Sequence, residues 1–256
     1  MIRFASLGSG SAGNALLVES GATCVMLDCG FGLRETATRM LRLGKLPADL
    51  SGILVTHEHG DHVGGVFRLA RKHALPVWMT YGTWMACRVV DSDGLDLRII
   101  DSHQPFGVGD FEIQPFPVPH DAREPVQYVF SASGKHLAVL TDIGEATPHV
   151  RANLSGCDGL VLEFNHDAEM LARSAYPASV KRRIAGRYGH LENRAAAALL
   201  RQIDCSRLQH LVAAHLSERN NCASLVRALL DDCPALDHGE VSVASQKDGF
   251  DWRSLS

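Results

Sequence analysis

Leu54-Val55-Thr56-His57-Glu58-His59-Gly60-Asp61-His62-Val63-Gly64-Gly65 is the stretch around which the rest of the chain is organised. His57, His59, Asp61 and His62 fall within six positions, directly behind Ile53, Leu54, Val55 and Thr56, whose composition predicts the end of a buried strand. In extended backbone, residues two apart share a face. His57 and His59 can therefore offer two imidazoles to one cation, while Asp61 and His62, at the turn into a helix, face a second. Two cations about 3.5–4 Å apart can hold one hydroxide between them and clamp both oxygens of a displacement. Gly60 is expected to let the backbone turn tightly, and Gly64 and Gly65 to let the following helix approach closely. Such side chains in fixed order at a strand end read as a metal loop rather than as surface histidines beside a turn.

With 256 residues, 46% of them hydrophobic, the chain can bury a sizeable core in one large domain or two fused half-domains. A net charge of −4 argues against broad non-specific nucleic-acid binding but leaves room for a local basic patch. Met1 to Gly10 enters strand-like sequence at once, and no apolar run approaches the length of about 18 that a membrane span needs. Neither a signal peptide nor a span is expected. Cys24, Cys29, Cys87, Cys157, Cys205, Cys222 and Cys233 are odd in number and form no C-x-x-C pair, which reads as reduced, buried thiols of a cytoplasmic protein.

Ile2 to Leu7, Ala15 to Glu19 and Thr23 to Leu27 read as strands, the third delivering Asp28 at its end. The intervening Gly8-Ser9-Gly10-Ser11-Ala12-Gly13-Asn14 either brings backbone N–H groups to a phosphate or is a plain hairpin turn; it lacks the Lys and Ser/Thr of a Walker A loop. Arg34 to Leu43 and Thr83 to Val90 have helical spacing, and the helix after His62 carries Val63, Val66, Leu69 and Ala70 on one face. Val77 to Met79, Leu97 to Ile100 and Phe111 to Phe116 read as further strands. Strand-rich sequence restarts near Gly109, so a single domain over 1–256 is expected, made of two halves with a pseudo-boundary near 105–110. One arrangement then repeats: Phe116 to Pro119 ends on His120, His136 to Thr141 on Asp142, Gly159 to Leu162 on Glu163, and Leu211 to Ala214 on His215. Each alone reads equally well as a hydrogen-bonded turn residue. Together, behind the metal loop, they predict a site gathered at one sheet edge.

With Leu27-Asp28-Cys29-Gly30, Thr56 to His62, Pro119-His120-Asp121, Thr141-Asp142-Ile143-Gly144 and Ala214-His215-Leu216-Ser217, the chain resembles the metallo-β-lactamase fold superfamily over nearly its whole length. The resemblance implies an α/β, four-layer αββα sandwich, two mixed sheets flanked by helices, with a dinuclear site. It also implies metal 1 on His57, His59 and His120, metal 2 on Asp61, His62 and His215, and Asp142 bridging. A carboxylate bridge, where zinc β-lactamases have a thiolate, suits Zn, Mn or Fe. Imidazole at His59, where di-iron flavoproteins carry a carboxylate, points to hydrolysis. Leu162 to Asp167 and Gly189 to Asn193 look like the acidic and Gly-His motifs of the tRNase Z and nuclease branch. With the Ser-Gly-Ser-x-Gly-Asn opening and His215 to Asn221, they resemble more closely the YycJ/WalJ-like family, associated with DNA exonuclease activity, end processing and repair. Two positions depart from that family: Glu192 and Phe164 each replace a usual Ser. Both are expected near the site, with consequences for substrate preference and rate.

The implied reaction is phosphodiester hydrolysis, most simply a DNA exonuclease acting in repair or replication, by attack of a metal-bridging hydroxide that Asp61 orients. The leaving alkoxide needs a proton or a cation. By analogy with the tRNase Z branch, His190, polarised by Glu163, is the candidate donor and His166 the second; Asn165 and Asp167 could instead satisfy His166 as a buried structural histidine. Asp28 is expected to hydrogen-bond a ligand or its loop from behind. Lys181, Arg182 and Arg183, with Arg187 and Arg194, lie on and after a helix beginning past Pro177 and either grip phosphates or form a solvated face. Tyr176 and Tyr188 beside them either stack on bases or belong to the core. No clamping domain is evident, so the groove belongs to this domain or is shared in a homo-oligomer. Two rivals stand beside this reading: a small-molecule hydrolase for a thioester, lactone or cyclic nucleotide with the same metals, and a non-catalytic, metal-stabilised interaction protein, against which the complete ligand set argues.

Overall fold

Apolar runs such as Thr23 to Leu27 and Gly159 to Leu162 need cover on both faces. The computed structural model, which describes residues 1–89, 93–231, 233 and 239–256, provides it with two stacked sheets and helices outside each. The first sheet holds β1 (Ile2–Gly8), β2 (Ala15–Ser20), β3 (Thr23–Leu27), β4 (Gly52–Leu54), β5 (Pro76–Thr80) and β6 (Asp96–Ile100). The second holds β7 (Phe106–Val108), β8 (Phe111–Pro117), β9 (Val126–Ala132), β10 (Lys135–Leu140), β11 (Gly159–Glu163), β12 (His210–Ala214) and β13 (Glu240–Val243). A last strand, β14 (Phe250–Leu255), returns to the first sheet beside β1. The orders are β14-β1-β2-β3-β4-β5-β6 and β13-β12-β11-β10-β9-β8-β7.

Both sheets change from antiparallel to parallel partway across, β3 to β6 and β10 to β13 forming the parallel halves. The carboxyl ends of parallel strands are where such sheets build crevices, and β3, β4, β10, β11 and β12 end beside Asp28, His57, Asp142, Glu163 and His215. Side chains alternate between layers with the period of two that a strand dictates. In β3, Val25 and Leu27 meet Tyr128, Phe130 and Val139 between the sheets, while Cys24 and Met26 face Met40 of α1 (Leu33–Arg42) and Leu69 of a later helix. On the far side, Leu160 and Leu162 pack under Val150 and Leu154 of α5 (Pro148–Leu154), Leu199 of α8 (Asn193–Leu200) and Val226 of α9 (Ala223–Asp231). Tyr128 ties the sheets together next to the metal loop, its buried hydroxyl donating to Val55 O at 2.8 Å.

The structure redraws several expected elements. The strand read over Ile53 to Thr56 ends at Leu54, because the Thr56 N–H donates to the Asp28 carboxylate rather than to a neighbouring strand. The helix after His62 is two, α2 (Gly60–Val63) and α3 (Val66–His73). It breaks where the Gly65 N–H donates to Cys29 O at 2.7 Å, and a Cβ there would lie 2.0 Å from Phe31 O. That close approach is what the glycine provides. Gly60, in contrast, turns nothing tightly: it begins α2 outside the left-handed region, with open space where a Cβ would go. The helix expected over Thr83 to Val90 is α4 (Tyr81–Cys87), and Val90 itself lies outside the described residues. Two further short helices, α6 (Ala168–Arg173) and α7 (Ala178–Ile184), lie before α8. All seven cysteines are free, but only four are buried, and Cys222 is exposed. Among the described residues no helix is long and apolar enough to cross a membrane.

Candidate metal centre

Asp28, on the turn that leaves β3, anchors the metal loop from behind. Its Oδ1 accepts the Thr56 N–H at 2.8 Å, and its Oδ2 accepts the Thr56 hydroxyl at 2.8 Å and His62 Nδ1–H at 2.8 Å. Since that hydroxyl spends its proton on Asp28, it accepts from His57 Nδ1 at 2.9 Å. His120 Nδ1–H donates to Gly189 O at 3.0 Å, and His215 Nδ1 faces Glu163 Oε1 at 3.2 Å. One rule covers all four imidazoles: the outer nitrogen donates to an acceptor, which leaves Nε2 as the inward ligand atom. His59 turns the other way, with Nδ1 3.3 Å from His120 Nε2.

The inward atoms converge. One ligand atom each from His57, His59 and His120 lies within 4.8 Å of the others, and the same holds for Asp61, His62 and His215, and for His57, His62 and Asp142. Asp142 Oδ2 is 3.0 Å from His62 Nε2, and its Oδ1 is 3.5 Å from His215 Nε2 and 3.9 Å from His120 Nε2. It is therefore the carboxylate shared between the groups. Among the described residues, His57 Nε2, His215 Nε2 and Asp142 Oδ2 are buried without a hydrogen-bond partner. Buried polar atoms seldom go unpaired, and three of them within one imidazole–carboxylate cluster fit divalent cations.

Charge tells the same story. Burial opposes the charged form of every group here, yet the Asp142 and Asp28 carboxylates hold His62 well above the ordinary histidine range, and Asp142 raises His215 to about 10. Asp142 is held well below the usual carboxylate range by His215 and His62, and Asp61 is held down by the same two neighbouring imidazoles. His57 and His120 go the opposite way, pushed down by burial. Without metal, protons on His62 and His215 neutralise the carboxylates; a cation would displace them, so metal uptake releases protons.

Glu163, fully buried at the end of β11, organises the far wall. Its Oε2 accepts from Ile143 N at 3.0 Å and Leu191 N at 3.1 Å, and its Oε1 receives His190 Nδ1 at 2.9 Å as well as His215. Burial disfavours its charge, but His190 holds its carboxyl down to about 2. Reciprocally, Glu163 outweighs burial and raises His190. His190 lines a cleft of about 510 Å³ together with His59, Asp61, Asp121, Asp142, His215 and Tyr176.

The structure thus brings His57, His59, Asp61, His62, His120, Asp142 and His215 into one set of adjoining groups, with Asp28 behind them and Glu163–His190 beside them. His166 does not join them. Its neighbours do not satisfy it either: Asn165 donates to His215 O and Asp167 caps α6, leaving His166 Nδ1 buried without a partner among the described residues. The basic run is also dispersed. Arg183 lines the cleft and pairs with Asp121 at 3.2 Å, Lys181 donates to Ala172 O, Arg187 pairs with Glu145 and Arg182 faces a second cavity. Arg194 is exposed at the start of α8. Tyr176 is half-buried in the cleft wall, whereas Tyr188 is exposed. Phe164 departs from the expectation that it sits near the site: it is fully buried under α8 and α9. Glu192 caps α8, accepting from Arg194 N and Ala195 N. Asn14, the last residue of the Gly-rich loop, has its amide 3.1 Å from His62 Nε2 and 3.3 Å from Asp61 Oδ2. The Gly-rich loop is therefore a wall of the site, and Ser9, whose hydroxyl accepts the His215 N–H, belongs to it too. The legible signal was a polar residue closing a glycine loop between two strands.

Residues 23–215 match the model of a beta-lactamase superfamily domain. The chain is 37% identical to exodeoxyribonuclease YycJ of Bacillus anthracis over 88% of its own length and 86% of that protein's. It is 32% identical to exodeoxyribonuclease WalJ of Streptococcus pneumoniae, over 87% and 84%. Zn(2+)-bound PqqB from Methylobacterium extorquens superposes with a TM-score of 0.75 over 99% of this chain and 100% of that one; at 17% identity it shows the fold alone. The αββα layering, the imidazole–carboxylate centre at the parallel strand ends and these likenesses make the chain an enzyme of the β-lactamase superfamily, a metallo-β-lactamase-fold hydrolase of the YycJ/WalJ group.

Proposed function

We propose that the protein is a phosphodiesterase that degrades DNA from an end, in repair or replication, using two divalent cations, zinc or manganese. The observation that carries this reading is the pairing of the metal-type centre with the charged His190–Glu163 couple on the wall of one cleft. His57, His59 and His120 would hold one cation, Asp61, His62 and His215 the other, and Asp142 both. Such a pair supplies charge neutralisation for a phosphodiester and a more acidic water. Asp61, half-buried at the cleft floor and held ionised, is placed to orient that water by accepting its hydrogen bond. With Nδ1 engaged by Glu163, His190 has Nε2 for the leaving oxygen, and the carboxylate favours the imidazolium that a general acid must be. Nearby cations would draw its pKa back towards neutrality, where a proton donor is most effective. Arg183, in the same wall, is placed to hold a flanking phosphate.

The names of the two curated relatives support DNA as the substrate. The test is degradation of 5′- and 3′-labelled single- and double-stranded DNA with Mn²⁺ or Zn²⁺, with Asp61→Ala as control. Stepwise products that vanish in the variant are expected. If neither metal supports cleavage while a thioester or lactone panel turns over, the small-molecule reading replaces this one.

A further inference from the structure

Behind His190, on the side away from the metal centre, lies a second cavity of about 710 Å³. Helix α7 divides it from the first: Val180, Arg183 and Ile184 line the metal cleft, while Lys181, Arg182 and Ala185 line the second cavity. Its walls are small and apolar at Ala168, Leu171, Ala172 and Ala195, which suits a flat ring. Two polar groups in this wall are unspent. His166 is 98% buried, and its Nδ1 is buried without a hydrogen-bond partner among the described residues. Glu192 uses Oε2 to cap α8, while its Oε1 is buried and unpaired. A half-satisfied acid and an unsatisfied histidine around an apolar cavity are costly unless a ligand completes them.

The structure assigns this cavity to the nucleobase on the leaving-group side of the scissile phosphate, with Glu192 Oε1 accepting a base amino group and His166 facing the adjacent ring nitrogen. This rests on the phosphodiesterase reading. If His190 protonates the leaving oxygen, the nucleoside bearing that oxygen lies beyond His190, where this cavity opens. Cytosine and adenine carry an amino donor beside a ring acceptor and satisfy both groups; a carboxylate accepting from the cytosine amine is a familiar base contact. Arg182 at the cavity wall offsets the negative charge that Glu192 and the nucleotide bring together.

Calorimetric titration of the metal-loaded protein with deoxycytidine monophosphate, against deoxyribose 5-phosphate, decides the matter without turnover. The nucleotide is expected to bind at least about tenfold more tightly than the sugar phosphate. Glu192→Gln keeps a carbonyl for the helix cap but turns the free position into a donor, and should erase that advantage. Ala185→Trp, on an exposed helix end, should fill the cavity and do the same, with folding checked by circular dichroism and metal content by mass spectrometry. Equal binding of nucleotide and sugar phosphate, or an advantage that survives both substitutions, overturns the assignment. Loss of the phosphodiesterase reading would appear separately, as intact oligonucleotides beside an unchanged titration.

Discussion

Asp28→Asn tests how far the centre depends on a residue outside the candidate ligand groups. Three donors meet the two Asp28 oxygens in a pocket where the residue is 3% exposed: the Thr56 N–H, the Thr56 hydroxyl and His62 Nδ1–H. Asparagine has one oxygen and one NH2, so one of two faults is unavoidable. If its oxygen keeps Thr56 Oγ1 and His62, its NH2 faces the Thr56 N–H, donor against donor, at a cost of about 1–3 kcal/mol. If the amide is reversed, His62 must accept at Nδ1 and carry its proton on Nε2, the atom that faces Asp142. Either fault disturbs a partner that fixes ligand tautomer, for which losses of about 10–100-fold in metal affinity are usual, or about 1.4–2.8 kcal/mol. Backbone strain is not a confounder, because asparagine tolerates the left-handed φ of 59° about as well as aspartate. Metal content after dialysis against graded chelator gives the affinity, and denaturant unfolding of the metal-free protein gives the stability, expected to fall by about 1–3 kcal/mol. A variant with wild-type metal affinity and stability within about 0.5 kcal/mol of the parent refutes the account.

Glu163→Gln removes the charge that raises His190. A raised pKa keeps a general acid protonated to higher pH, and activity falls as pH climbs through it, so the alkaline limb of the pH–rate profile is expected to move to lower pH; a fixed limb would exclude His190 as the donor. Gly65→Ala places a Cβ 2.0 Å from Phe31 O, backbone against backbone, and should destabilise by about 3 kcal/mol, or roughly 6–12 °C in Tm, whereas Gly60→Ala, with open space, should stay within about 0.5 kcal/mol. Thermal unfolding of the pair checks this. Under native conditions a disulfide reagent should label Cys222 first: the Ser224 hydroxyl lowers its pKa and it is exposed, whereas burial pushes Cys87 and Cys157 up to about 12. Loss of the fast phase in Cys222→Ser, read by mass spectrometry, is the expected result.

Much of the fold was legible because its strands are buried on both faces and end in residues of conspicuous chemistry. The metal loop and the endings on His120, Asp142, Glu163 and His215 needed no tertiary information. The position of Phe164 was also within reach: it shares strand parity with Leu160 and Leu162, which face the helix layer, so it could not also face the cleft. Other features depend on contacts that local sequence does not encode. Gly64 and Gly65 break the helix because loop 29–31 packs against them, and β14 joins the first sheet across almost the whole chain. The basic run reads as one patch until α7 acquires a phase, and then Arg183 and Arg182 face different cavities.

Three of the six described non-glycine residues with left-handed backbone lie at the candidate centre, the others being Ala74, Arg88 and Ser133. Asp28, Asp142 and His215 have φ of 59°, 53° and 56°, in the left-handed region that glycine occupies at little cost and other residues at about 1–3 kcal/mol. Each follows closely on a parallel strand, β3, β10 or β12, and each is at most 3% exposed. A left-handed residue reverses the chain at once, so its side chain stays at the strand end instead of following the next helix away. Glycine would meet the backbone's demand and leave no oxygen or nitrogen at the centre. That these positions hold a ligand-type residue instead means that the strain is offset by what the side chains contact. For Asp28 those contacts are three hydrogen bonds; for Asp142 and His215 they include atoms that still lack a hydrogen-bond partner, which is the strongest structural reason to expect cations there.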